Sequence, residues 1–233
     1  MQKALDDIIK EVRIAIDEIA KDNDDDFMQD QDTEIRYAIL AAANQVLLEA
    51  PAGFLRPEPV TVGANNDYDA AQTQFTDGHG SVVLPDNFLK LFEFKLISWQ
   101  SSVRELMDPG SQEAKMQAST WSRGTPQKPK AMLTTDANGN RVLMYWTAGR
   151  YTQPPSSATN NVFNHTIEAF YYIPTAEIVD VTPSDGTAAV QTLKVALTDS
   201  AENNLIYRAA ALFLEGKKEK DLSERMRQLS KFN

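Results

Sequence analysis

The chain has 233 residues, no cysteine and a formal net charge of −10 at pH 7. The missing cysteines exclude disulfides and cysteine-based metal or redox sites. The acidic balance disfavours sequence-independent binding of nucleic acid, because phosphate contacts need Lys and Arg. A mean hydropathy of −0.40, with no apolar run of about 18 residues, argues against a membrane span.

The charge is distributed unevenly along the chain. Residues 1–34 hold twelve acidic and four basic side chains, whereas residues 202–233 hold five acidic and seven basic ones. These opposite signs favour head-to-tail contact between copies. The first residues lack the apolar segment of a signal peptide, so we expect a protein that functions or assembles in a cytosol.

The N-terminal region predicts two amphipathic helices, over residues 2–21 and 33–50. Apolar residues recur there at spacings of three and four, as on one face of a helix. These residues are Leu5, Ile8, Ile9, Val12, Ile16 and Ile19 in the first helix, and Ile35, Ile39, Ala42, Val46 and Leu47 in the second. Residues 22–27, rich in Asp, predict a loop between the two helices, and the pair should form an antiparallel hairpin.

The middle of the chain predicts short strands separated by turns. Period-two alternation indicates strands over residues 88–99 and 166–173, with a further short one near 103–106. The Asn-Gly pair at Asn138 and Gly139 predicts a hairpin between residues 129–135 and 141–147. The connections at 51–82 and 151–164 are long and polar, which is typical of functional or partner-ordered loops.

The C-terminal region again predicts helices, over residues 200–215 and 217–231, with Gly216 ending the first. The whole chain is therefore predicted to be α+β. A helical bundle forms from residues 1–55 and 195–233, and an antiparallel β-rich insertion spans residues 56–194.

The candidate chemical sites are weak. Asp22, Asp24 and Asp26 have the spacing of a calcium loop, but Phe27 replaces its turn glycine and Thr33 its bidentate Glu, so we interpret the run as a solvated loop.

The two histidines, His79 and His165, have no partners at the spacing of a zinc site or a catalytic triad, and are interpreted as structural or surface residues. We predict no enzyme activity and no cofactor.

The middle region is rich in aromatic residues with arginines nearby. Its aromatic residues are Trp99, Trp121, Tyr145, Trp146, Tyr151, Tyr171 and Tyr172. Such residues serve most often as β-sheet core, then as interface anchors, and a stacking platform for nucleobases comes third.

Two short sequence segments, together with the order of the predicted helices and strands, carry a family resemblance. Residues 83–91 read VLPDNFLKL and lead into a strand, and residues 204–211 read NLIYRAAA in a helix. Together with the N-terminal helical hairpin and the β hairpins, they resemble the head-to-tail adaptor and tail tubular proteins of short-tailed phages. The Leu-Pro-Asp phrase is similar to one in virion proteins of phages of Bacteroides, including the crAss-like group.

The resemblance implies a virion protein assembled in the host cytoplasm. It implies a dodecameric ring around a DNA channel, between the portal protein and neighbouring tail ring proteins. DNA would pass without specific binding, and no membrane would be involved. On this hypothesis the helices form the ring body, and the loops of the β-rich region contact the neighbouring rings.

We predict interface residues on the helices and a docking loop in the middle region. The predicted oligomer interface consists of Ile8, Val12, Ile39, Val46, Ala209, Ala210 and Phe213. The predicted docking loop carries Trp121, Arg123 and Tyr151.

Two alternatives belong to other classes. The first is a binding module: a β-rich domain flanked by helices that binds a ligand or glycan through its aromatic residues. A hydrolase that uses a pair of Asp or Glu residues is the second, and the sequence does not place two carboxylates across a cleft.

Overall fold

A computed structural model gives the arrangement of most of the chain. It describes residues 1–17, 31–60, 73–76, 79–119, 122–146, 167–182 and 188–232. The helices are α1 (Leu5–Asp17), α2 (Asp32–Glu49), α3 (Gln112–Met116), α4 (Glu202–Gly216) and α5 (Lys220–Leu229). The strands are β1 (Gln2–Ala4), β2 (Glu58–Pro59), β3 (Thr73–Thr76), β4 (His79–Val83), β5 (Phe88–Leu96), β6 (Lys130–Thr135), β7 (Arg141–Trp146), β8 (Ile167–Pro174), β9 (Glu177–Val181) and β10 (Val190–Lys194).

Helices and antiparallel sheets both contribute, which confirms the predicted α+β class. The chain divides into two compact units. Unit 1 comprises Met1–Arg56 and Ile173–Asn233, and unit 2 comprises Pro57–Tyr172.

The units differ from the predicted division at one boundary. The β-rich insertion was expected to extend to residue 194, but unit 2 ends at Tyr172. The reason is that β9 and β10 form the sheet β1-β10-β9 of unit 1. Residues 2–4 were expected to start the first helix, but they pair with residues 192–194 as β1, and α1 begins at Leu5.

Helix α4 is the centre of unit 1. It packs against α1, α2 and α5. Its inward side carries three consecutive alanines, Ala209, Ala210 and Ala211, none of which is exposed. Because alanine has the smallest apolar side chain that still favours a helix, this run lets neighbouring helices approach closely.

Arg208 joins three of these helices with its side chain almost fully buried. Its guanidinium donates to both carboxylate oxygens of Glu49 on α2, at 3.1 and 2.6 Å. Its Nε donates to Ser230 Oγ, just after α5, at 3.0 Å. Nearby, Asn204 donates to the carbonyls of Ser230 and Lys231, each at 3.0 Å, and so satisfies acceptors at the end of α5.

Unit 2 contains two sheets, β2-β8-β5 and β3-β4-β7-β6. Strands β6 and β7 form the predicted hairpin, with Thr135 opposite Arg141. In its turn, Gly139 has a φ of +87°, a conformation that glycine adopts without strain. The Asp136 carboxylate accepts hydrogen bonds from the amides of Asn138 and Asn140 at 2.9 and 2.8 Å, and from the Asn140 side chain at 3.0 Å.

Arg208 provides a first test of this arrangement. Arg208→Met should lower the free energy of unfolding by about 2–3 kcal/mol, because Glu49 and Ser230 both lose a buried, charged partner. The matched control is Arg227→Met, which removes a more exposed ion pair with Glu215 and should cost less than about 1 kcal/mol. Urea unfolding followed by circular dichroism measures both, and equal losses would contradict the structural role of Arg208.

Asp136 provides a test with a pH signature. Partial desolvation would raise the pKa of Asp136, but the hydrogen bonds from Asn140, Asn138 and Gly139 outweigh it and lower the pKa. A carboxyl whose pKa is lower in the folded state stabilises the fold above its unfolded pKa of about 3.9 and stops doing so as the pH falls through the folded value.

Asp136→Asn should therefore be less stable than wild type at pH 6, and the difference should shrink as the pH falls below about 4. Thermal unfolding across this range measures it, with Asp86→Asn, at an exposed position of the same unit, as the control. A difference that is the same at every pH would show that the charge of Asp136 has no part in the effect.

Candidate assembly surface

The predicted oligomer interface lies inside the protein. Each of its seven residues is buried within a single chain: Ile8, Val12, Ile39, Val46, Ala209, Ala210 and Phe213. They are core residues of unit 1, so they do not form a surface at which a second copy could dock. The amphipathic pattern marked a face that must be covered, and the chain covers that face with its own helices.

The opposite side of α2 is exposed and unusually apolar. Tyr37, Ala41, Asn44 and Leu48 follow one another at spacings of four, three and four residues, so they share one face, which we call the α2 outer face. Tyr37 is 71% exposed and Leu48 50% exposed. Ala41 is also exposed, whereas Asn44 is half-buried and its side chain accepts a hydrogen bond from the Ala176 amide at 3.0 Å.

Charge is absent from this stretch of the helix. No residue between 37 and 48 is charged, whereas both ends of α2 carry charged side chains. A helix with apolar residues on all sides is usually buried all round. The sequence therefore contained a signal for the α2 outer face, namely twelve uncharged residues in a helix of a chain with 24% charged residues, but the prediction considered only the inward stripe.

The other helices of unit 1 expose charged side chains together with single apolar ones. Helix α1 exposes Asp6, Asp7 and Lys10 beside Ile14, and α5 exposes both acidic and basic side chains beside Leu229. Lys10 and Asp7 approach to 3.4 Å on the surface of α1. The α2 outer face is thus distinguished from the exposed faces of α1 and α5 by the absence of charged side chains between residues 37 and 48.

The predicted docking loop is described only in part. Trp121 and Tyr151 lie outside the described residues. The Nε of Arg123 donates to the Gln117 carbonyl at 3.0 Å. The side chain of Gln117 is buried, accepts from the amide of Gly124 at 2.8 Å and donates to the Glu113 carbonyl at 3.1 Å. These contacts hold the backbone around Arg123 in a defined conformation.

Most of the described aromatic residues in the middle region form the core of unit 2. The Phe94 ring lies 5.4, 5.3 and 5.3 Å from the rings of Trp99, Tyr145 and Phe170. All four are buried, as are Trp146 and Tyr172. This confirms the first interpretation of the aromatic residues, as β-sheet core, and removes these six side chains from any surface at which a glycan or nucleobase could stack.

A cluster of metal-ligating side chains is not found in the described part of the chain. No group of three or more His, Asp or Glu residues suited to a metal ion occurs there. His79 is half-buried on β4, while His165 and the run Asp22, Asp24 and Asp26 lie outside the described residues. Burial raises the pKa of Tyr145, a core residue of unit 2.

Comparison with known proteins adds no relative. Neither the protein-family models nor the curated proteins gave a match to the chain. Among the helices that the structure describes, none has the length and apolar character needed to cross a bilayer.

The aromatic core supplies a test in unit 2. Gly80 on β4 lies opposite Tyr145 on β7, and a Cβ added at Gly80 would overlap the Tyr145 hydroxyl. Since Phe94 and Trp99 pack against the Tyr145 ring, the ring has little room to move. Gly80→Ala should therefore destabilise the protein by about 1–3 kcal/mol.

The matched control is Gly110→Ala, whose added Cβ would lie 3.6 Å from an Asp108 carboxylate oxygen, an ordinary contact. Thermal unfolding of the two variants beside wild type gives the answer. If Gly80→Ala unfolds at the wild-type temperature, the packing of Tyr145 against Gly80 is wrong.

Proposed function

We propose that this protein is a structural subunit that assembles with copies of itself, as a ring-forming head-to-tail connector of a short-tailed phage. The observation that carries the proposal is the α2 outer face, an exposed and uncharged helix face beside charged surfaces. The resemblance to adaptor and tail tubular proteins supplies the biological setting. In that setting the ring joins the portal protein to neighbouring tail rings within the virion.

The α2 outer face has the composition of an interface centre. Protein interfaces concentrate aromatic and aliphatic side chains at their core and exclude charges from it. Fully burying an exposed leucine contributes on the order of 1.5–3 kcal/mol, and Leu48, which is half exposed, would contribute about half of that. Tyr37 adds a hydroxyl that needs a partner at the interface rim. Ala41, between them, leaves space for a side chain of the neighbouring subunit.

Head-to-tail contact suits a ring. When one surface of each copy binds a different surface of the next copy, the copies form a ring if the rotations between successive copies add up to a full turn. The α2 outer face would be one half of such a contact. Each subunit then makes two contacts, so a modest interface is reinforced by closure.

The charge of the protein agrees with a channel that DNA passes through. A net charge of −10 repels phosphates and disfavours retention of DNA. The proposed assembly therefore includes no specific DNA-binding residue, no cofactor and no catalytic step.

The proposal is tested by placing a charge in the α2 outer face. Ala41→Lys should reduce self-association at least tenfold while leaving the fold intact, because position 41 is exposed and lysine is a good helix former. Light scattering over a range of concentrations, with negative-stain images of the same samples, measures the assembly. An Ala210→Glu substitution does not serve here, because it would bury a carboxylate in the core of unit 1.

Ala118→Lys is the matched control, since Ala118 is an exposed alanine that belongs to unit 2 and not to α2. It should assemble like wild type. Wild-type protein that stays monomeric at every concentration would contradict the proposal, and so would an Ala41→Lys variant that forms wild-type particles.

A further inference from the structure

Strand β9 forms one edge of the small sheet of unit 1. The order is β1-β10-β9, and among the described residues β9 pairs only with β10. The outward side of β9 therefore presents backbone N–H and C=O groups that no described strand satisfies. An edge of this kind is a template for another strand.

The side chains on β9 make this edge attractive to a second strand. Its sequence is Glu-Ile-Val-Asp-Val, so three of five residues are β-branched and apolar. Val181 is 42% exposed, and its partner on β10, Val190, is 41% exposed. Val179 and Thr192 are the next pair on the same face, and both are half-buried.

We propose that β9 of one copy pairs in antiparallel orientation with β9 of a second copy, about a two-fold axis at Val179. The two small sheets then join into one continuous sheet. The N-terminal end of β9 lies next to the α2 outer face, since the Ala176 amide donates to the Asn44 side chain at 3.0 Å. The inference rests on the edge of the sheet and does not depend on the proposed function.

The register follows from strand length and charge. Centring on Val179 is the alignment in which all five residues of β9 find a partner. It places Glu177 opposite Val181 of the second copy and Asp180 opposite Ile178 of the second copy. Each carboxylate thus faces an aliphatic side chain, and like charges do not meet.

Other alignments are poorer. Centring on Asp180 or Glu177 sets two identical carboxylates directly opposite one another, which is destabilising. Centring on Ile178 leaves part of each strand unpaired. A shift of one β9 strand by a single residue relative to the other would place side chains from the buried face of one sheet on the exposed face of the other.

The Glu177 carboxylate is also neutralised within its own chain. Lys194 on β10 lies opposite Glu177, and their charged groups are 3.5 Å apart. In the paired sheet this ion pair lies beside Val181 of the second copy. The negative charge of Glu177 at the sheet edge is therefore compensated by Lys194 before a second strand pairs there.

The absence of cysteine in the chain makes the contact testable by cross-linking. In Val179→Cys the two introduced thiols would face each other across the two-fold axis, with Cα atoms about 4.5–5.5 Å apart, which is within the range of Cα separations that a disulfide bridges. Diamide oxidises the pair, so that one S–S bond forms, the two thiol protons are released and diamide is reduced to its hydrazine. We expect a cross-linked species of twice the 26.0 kDa of the chain on a non-reducing gel.

Val190→Cys is the matched control. It lies on the same face but one strand further from the edge, opposite Val181. Its two copies would therefore be separated by about three strand spacings of 4.8 Å each across the sheet and by about four residues along it. Val179→Cys should cross-link at least tenfold faster than Val190→Cys in dilute protein. Equal rates for the two variants, or no cross-link from Val179→Cys, would overturn the proposal.

A second measurement applies if oxidation perturbs the fold. Val179→Lys and Val179→Glu should each sediment as monomers, because each would set like charges opposite one another at the axis. Mixing the two should restore the dimer, since Lys then faces Glu. A mixture that stays as monomeric as its components would also overturn the proposal.

Discussion

The pairing of β1 with β10 is the constraint on which unit 1 depends. It brings residues 2–4 beside residues 192–194 and so closes a unit whose two segments are separated by the whole of unit 2. The Met1 amino group donates to the Val195 and Leu197 carbonyls at 3.0 and 2.6 Å, beside this pairing. Lys3 adds ion pairs with Glu11 on α1 and Glu202 on α4, so the strand also aligns the two helices.

Inside unit 1, the alanines of α4 and the buried Arg208 both determine how the helices pack. The alanines of α4 permit close helix packing, which places Arg208 within reach of both α2 and the end of α5. A buried guanidinium is tolerated only with partners for its donors. The same helices that bury the inward stripe of α2 leave its outward stripe on the surface, and this is the origin of the α2 outer face.

Local signals in the sequence predicted local structure well. The second helix was expected over 33–50 and spans Asp32–Glu49, and the Asn-Gly turn of the β6–β7 hairpin lies where expected. The pairing of β1, β10 and β9 was missed because a three-residue strand has almost no periodicity and its partner is nearly 200 residues away. Such pairings depend on tertiary structure and not on local propensity.

The candidate surface was predicted less well, for a physical reason. A stripe of apolar residues shows that a helix face is covered, but it does not show whether the chain itself or a second copy covers it. Ile39 and Val46 on α2 were predicted to contact a second copy, but both are buried within unit 1 of the same chain. Tyr37 and Leu48 were more informative, because they are large apolar residues on the side of the same helix where polar residues are expected.

The insertion of unit 2 into unit 1 has a consequence for synthesis on the ribosome. Helices α1 and α2 emerge early, but α4, which covers their apolar stripes, is translated only after residues 57–172 and the sheet that follows. Unit 2 is continuous and has its own core, so it has the means to fold first as a unit. The nascent chain therefore carries two helices with uncovered apolar stripes through most of translation, the stage at which chaperones would be needed most.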